Sequence, residues 1–152
     1  MKTNNPKIIG LVLLIIGLGV IWFWGSILYQ ISSLPITGTT TDAKVIGYKV
    51  SSNGARMVRN ATSIKNFASG RSPFFEFVSD KNEIIKNYSN APQIFVLFNY
   101  EIGEKITVAY PNNEPQKAVI INWKEFPGLL FMMLFGLLML IVGKSYFLNT
   151  PK

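Results

Sequence analysis

The side chains with chemistry to offer in this sequence are carboxylates, amines and guanidinium groups. There is no histidine and no cysteine. Within the chain, that excludes thiolate and imidazole metal sites, Ser–His–Asp and Cys–His catalysis, and haem ligation by either residue. Five carboxylates, Glu76, Asp80, Glu83, Glu101 and Glu104, fall in its middle. Two on one face could exchange protons as acid and base, or bind calcium. None lies in a D-x-D-x-D-G loop, and Glu101 and Glu104 flank Gly103, a turn signal where exposed charge is ordinary. They read as surface groups. The glycines outside the apolar runs are single turn residues, so no phosphate-cradling loop is present. The expectation is a non-enzyme with no catalytic residue, no metal and no cofactor.

A second group is basic. Ser51–Ser72 (SSNGARMVRNATSIKNFASGRS) carries Arg56, Arg59, Lys65 and Arg71 and no acid. Near a membrane such a loop can touch anionic headgroups or an acidic partner; a solvated loop is the alternative. Nucleic acid would suit the charge, but the loop offers no aromatic platform, and no nucleic-acid partner is expected.

These groups hang on two apolar runs. Ile8–Tyr29 is 22 residues without a charge and Phe126–Gly143 is 18 more. A bilayer core roughly 30 Å thick takes about 20 residues of helix, and only a helix satisfies its own backbone in lipid. The expected organisation is a tail (1–7), a transmembrane helix (8–29), a β-rich domain (30–125, with the basic loop at 51–72), a second transmembrane helix (126–146) and a tail (147–152). Trp22, Trp24 and Tyr29 sit at one end of the first run like an interfacial belt, which favours an anchor over a cleaved leader.

Lys2, Lys7, Lys144 and Lys152 give the tails positive charge and no acid. Positive flanks stay on the cytoplasmic side. The charge pattern favours both termini in the cytoplasm and the domain outside, and the Asn-, Lys- and Ile-rich composition points to a bacterial cytoplasmic (inner) membrane as the expected location. Glycines recur at Gly10, Gly17 and Gly25, spaced seven and eight apart, and at Gly128, Gly136 and Gly143, spaced eight and seven. Small residues let membrane helices approach closely, so the two faces are expected to meet in an antiparallel hairpin or to receive a partner's helix.

Between the helices, Gln30–Asp42 reads as a linker broken by Pro35. Strands are expected at 43–50, 73–78, 82–88, 94–100, 103–110 and 117–122, with a turn at Pro111–Pro115. Phe74, Phe75, Phe77, Phe95 and Phe98 read as core, and Ile106, Val108 and Tyr110 share a face. Short strands at close spacing imply a small antiparallel sandwich or barrel-like domain. The fold class is thus membrane α+β, a two-helix hairpin carrying that domain.

Ala43-Lys44-Val45-Ile46-Gly47, Pro73 to Phe77 and Gly103 to Ala118, set between two helices, resemble the domain-of-unknown-function family 3592 of two-helix bacterial membrane proteins. The likeness departs at Tyr110-Pro111, where the family usually carries Asp between Tyr and Pro, and at Ile106 in place of valine. It implies a β-rich domain on a two-helix anchor and implies no reaction. The expected partners are membrane lipid and another membrane or envelope protein, or a second copy of the chain. The expected role is a membrane-anchored interaction module, an accessory or scaffold subunit. An envelope ligand- or lipid-binding receptor and an immunity-type protein are the alternatives.

Overall fold

The computed structural model describes residues 6–50, 57–58, 72–94 and 98–148. The chain divides into two compact units, residues 1–26 with 129–152 and residues 27–128.

The first unit is the helix pair. Helix α1 spans Pro6–Thr37 and α2 spans Phe126–Leu148. Pro6 opens α1, where a missing N–H costs nothing. Both helices are long and apolar enough to cross a membrane, the second counted from Trp123 to Leu148 with its leading turn. Only 11% and 22% of their most apolar windows are buried within the chain. Within this unit the helices run antiparallel. A Cβ built on Gly10 would lie 2.7 Å from the carbonyl of Gly143, and one on Gly17 would lie 2.9 Å from that of Gly136.

The second unit holds the strands and the end of α1. The helix does not stop before Pro35, as the linker reading has it, but continues through Thr37, and β1 (Thr39–Val50) begins two residues later. Pro35 falls in the last turn and deprives only the Ile31 carbonyl of its usual donor. Gly38 N–H closes the turn on Leu34 C=O at 2.8 Å, and the Thr37 hydroxyl donates to Ser33 C=O at 3.0 Å. Ile27, Ile31 and Leu34, spaced four and three apart, are all buried. That stripe gives the extension an apolar face to bury, which outweighs the polar composition around it.

The remaining strands are β2 (Met57–Val58), β3 (Pro73–Val78), β4 (Ile84–Tyr88), β5 (Lys105–Tyr110) and β6 (Val119–Ile120). They form one antiparallel sheet of order β4-β3-β1-β5-β6, with β2 also paired to β1. The sheet curls into a half-barrel, one layer where the sequence left a sandwich and a barrel open. β1 lies at its centre, pairing β3 on one side and β5 on the other, with a register shift between Val45 and Gly47. Bulges of this kind bend a strand. Residues 98–100 lie in a turn and irregular chain rather than in the strand expected over 94–100, of which Phe95 lies outside the described residues.

Alternation sends one face inward. Val45, Phe75, Phe77, Ile85, Ile106, Val108, Tyr110 and Ile120 form the core with Tyr100, and the Phe77 and Tyr110 rings stack at 5.4 Å. Phe74 and Phe98 are half-buried. The curl is tied across its open side by Asn87 of β4. Its Nδ2 donates to the carbonyls of Gln116 (2.9 Å) and Ala118 (3.2 Å), in the segment leading into β6.

Candidate functional site

Arg56, Arg59, Lys65 and Arg71 lie outside the described residues. The five carboxylates singled out above are dispersed over the β unit. Glu76 on β3 sits opposite Lys86 on β4, with Nζ 4.0 Å from its carboxylate. Asp80 and Glu83 flank the exposed β3–β4 turn, where Asn82 takes φ 59. Glu101 and Glu104 flank Gly103, whose φ of 92 suits a glycine. Glu104 accepts from its own loop, from Glu101 N–H at 2.8 Å, and pairs with Lys124 at 2.6 Å. Among the described residues no three acids lie together as a metal site would require.

The carboxylate that the structure does enclose is Glu125, 1% exposed, which sequence reasoning passed over. It occupies the 3-10 turn Trp123–Glu125 that leads into α2, ahead of the uncharged run and within the β unit. Asn122 caps the turn by accepting from Lys124 N–H at 3.1 Å. The Glu125 side chain points into a segment between β4 and β5. Ser89 Oγ donates to its Oε2 and Gln93 Nε2 to its Oε1 at 2.9 Å. Ser89 Oγ also accepts from Ala91 N–H at 3.1 Å, and Ser89, Ala91 and Gln93 are all buried.

Tyr100 borders the carboxyl, and its buried hydroxyl has no hydrogen-bond partner of good geometry among the described residues. Lys124, next in sequence, does not neutralise Glu125. Its Nζ bonds Glu104 and, at 3.4 Å, the Asn99 carbonyl, and lies 4.7 Å from the centre of the Tyr100 ring. Burial dominates the electrostatics and pushes the Glu125 carboxyl up to about 7, against the opposing hydrogen bonds from Ser89 and Gln93. Burial, and then the adjoining Glu125 charge, pushes the Tyr100 phenol far above its ordinary range.

The same segment presses on the first turn of α2. A Cβ on Gly128 would lie 1.7 Å from the Pro92 carbonyl oxygen. Of the six glycines the spacing selected, Gly10, Gly17, Gly136 and Gly143 line the helix pair, Gly128 meets Pro92, and a Cβ on Gly25 would meet nothing within 4 Å.

On the outer face of the sheet, Val78 and Ile84 are directly opposed across β3 and β4, 52% and 70% exposed. They border a shallow depression whose charged lining is Asp42, Lys44, Glu76 and Lys105. No protein-family model, curated protein or solved structure matches the chain.

Proposed function

We propose that this chain is a two-pass membrane protein whose β unit docks a second protein, a membrane-anchored interaction module without a reaction of its own. The observation that carries the docking reading is the Val78–Ile84 pair. Two large apolar side chains stand opposed and exposed on the outer face of a sheet, next to a depression bearing charge of both signs. A cross-strand apolar pair of this kind stabilises a sheet only modestly while exposed, and gains far more when a partner covers it. The partner is a protein that presents an apolar patch ringed by charges.

The membrane reading is supported by apolar surface that only lipid or protein would shelter, such as Leu18, Trp22, Leu134 and Leu138, all exposed along the helices. In this reading both termini are cytoplasmic and the β unit lies outside a bacterial cytoplasmic membrane, as an accessory or scaffold subunit. The motif order resembling family 3592 belongs to the same proposal.

A photoreactive residue at Ile84, with one at exposed Asn113 as control, tests the docking face in native membranes. A discrete protein adduct from position 84 that is missing from position 113, and that disappears with Val78→Asp, is expected. Equal adducts at both positions, or none at 84, would overturn the docking face. Because the chain lacks cysteine, Lys81→Cys in the exposed β3–β4 turn reports the topology separately. Labelling of intact cells by an impermeant thiol reagent is expected, and labelling only after lysis would reverse the orientation.

A further inference from the structure

The Ser89–Gln93 segment meets the start of α2 at two points, both within the β unit. Glu125 takes hydrogen bonds from Ser89 and Gln93, and Gly128 sits against the Pro92 backbone with no room for a methyl group. One buried carboxyl therefore holds the segment between β4 and β5 to the turn that launches the helix. We propose that Glu125 is a proton-controlled latch on this joint: protonated it keeps the segment closed on the first turn of α2, and ionised it loosens it.

The charges around the group favour this reading. The segment 89–93 contributes Ser89 and Gln93 and no charge, and Phe126, Pro127 and Gly128 contribute none. The stretch 98–104 contributes Tyr100 and Glu104, and the turn contributes Lys124. The lysine is held by Glu104, so the two cancel locally and, among the described residues, no cation remains for an ionised Glu125. A buried carboxylate without a cation is costly, and hydrogen bonds offset that only in part. Losing the proton thus removes stability from this joint. In the protonated form Oε1 accepts from Gln93 Nε2 and the acid proton on Oε2 is donated to Ser89 Oγ, which also accepts from Ala91 N–H.

The test uses the full chain in lipid nanodiscs with carbon-13 in the glutamate carboxyl groups, followed by NMR from pH 4 to 9. One carboxyl is expected to titrate near neutrality and to be missing from E125Q. Hydrogen exchange at the amides of Ala91 and Glu125, corrected for the intrinsic effect of pH, is expected to lose protection about tenfold or more between pH 5.5 and 8.5. That loss should follow the same midpoint and should vanish in E125Q. If every glutamate titrates below pH 5.5, the latch is refuted. It is equally refuted if Glu125 titrates near neutrality while exchange at the joint stays constant, or if E125Q keeps the pH dependence. Should E125Q fail to fold, the two midpoints in the unaltered chain still decide: coincidence supports the latch and separation overturns it.

Discussion

Gly128 and Gly25 occupy equivalent places in the glycine spacing of their helices, yet alanine at each should move stability in opposite directions. At Gly128 the new methyl would stand 1.7 Å from the Pro92 carbonyl oxygen and 2.9 Å from its carbonyl carbon. Both neighbours are backbone, so no side chain can swing away, and segment and helix must part by more than an ångström. Overpacking of this kind costs about 1–3 kcal/mol or more. Replacing a helical glycine by alanine returns roughly 0.5–1 kcal/mol, which leaves a net loss of about 1–2 kcal/mol. For a domain of this size each kcal/mol moves the midpoint by about 4–8 °C, so Gly128→Ala should melt roughly 5–15 °C lower. Gly25→Ala meets nothing within 4 Å and should keep the helical gain, melting at or slightly above the unaltered chain. The assay is thermal unfolding of the purified protein in one mild detergent, followed by far-ultraviolet circular dichroism and by tryptophan fluorescence. Gly128→Ala as stable as the parent would refute the close approach at Pro92. Gly25→Ala clearly destabilised would mean that its face is covered.

The β unit should also lose stability as pH rises. Glu125 binds its proton more tightly folded, at about 7, than unfolded, at about 4.5. Its contribution is therefore complete below pH 4.5 and lost as pH climbs through 7, a change on the order of 3 kcal/mol; denaturant titrations at pH 5 and 8 should show it, and E125Q should flatten it. Asn87→Ala removes the two hydrogen bonds that tie β4 to the segment before β6. Leaving those carbonyls short of a donor should cost about 1–3 kcal/mol and raise hydrogen exchange in β4 and β6 before that in β1; unchanged exchange at these edges would show that the curl needs no tie.

Local patterns carried much of the fold. The two uncharged runs announce helices because nothing in them interrupts an apolar cylinder. PFFEFV and KITVAY alternate as half-buried strands do, and Phe75, Phe77, Ile106, Val108 and Tyr110 point into the core they were expected to build. The Pro111–Pro115 turn is equally local, with Asn113 at φ 69 and Glu114 N–H on Pro111 C=O at 2.9 Å. The end of α1 is not legible locally, because Pro35 and the serines speak only of local preference, while the stripe of Ile27, Ile31 and Leu34 finds its value in what it is packed against.

Glu125 shows where local reading ends. Beside Lys124 and ahead of an apolar run it looks like a solvated flank or a helix cap, and no pattern near it signals burial. Its environment comes from Ser89, Gln93 and Tyr100, 36, 32 and 25 positions earlier in the sequence. The same holds for the strand order, for Asn87 reaching Ala118 across 31 residues, and for the different surroundings of Gly25 and Gly128. By itself the sequence determined the apolar runs, the period-two strands and the turns, because propensity and hydrophobic periodicity act within a few residues. The tertiary structure alone decided which strand is central, which glycine is pressed against backbone and which carboxylate is taken out of water. Those outcomes depend on the volume and polarity that distant segments bring to one place, and no short window of sequence contains that information.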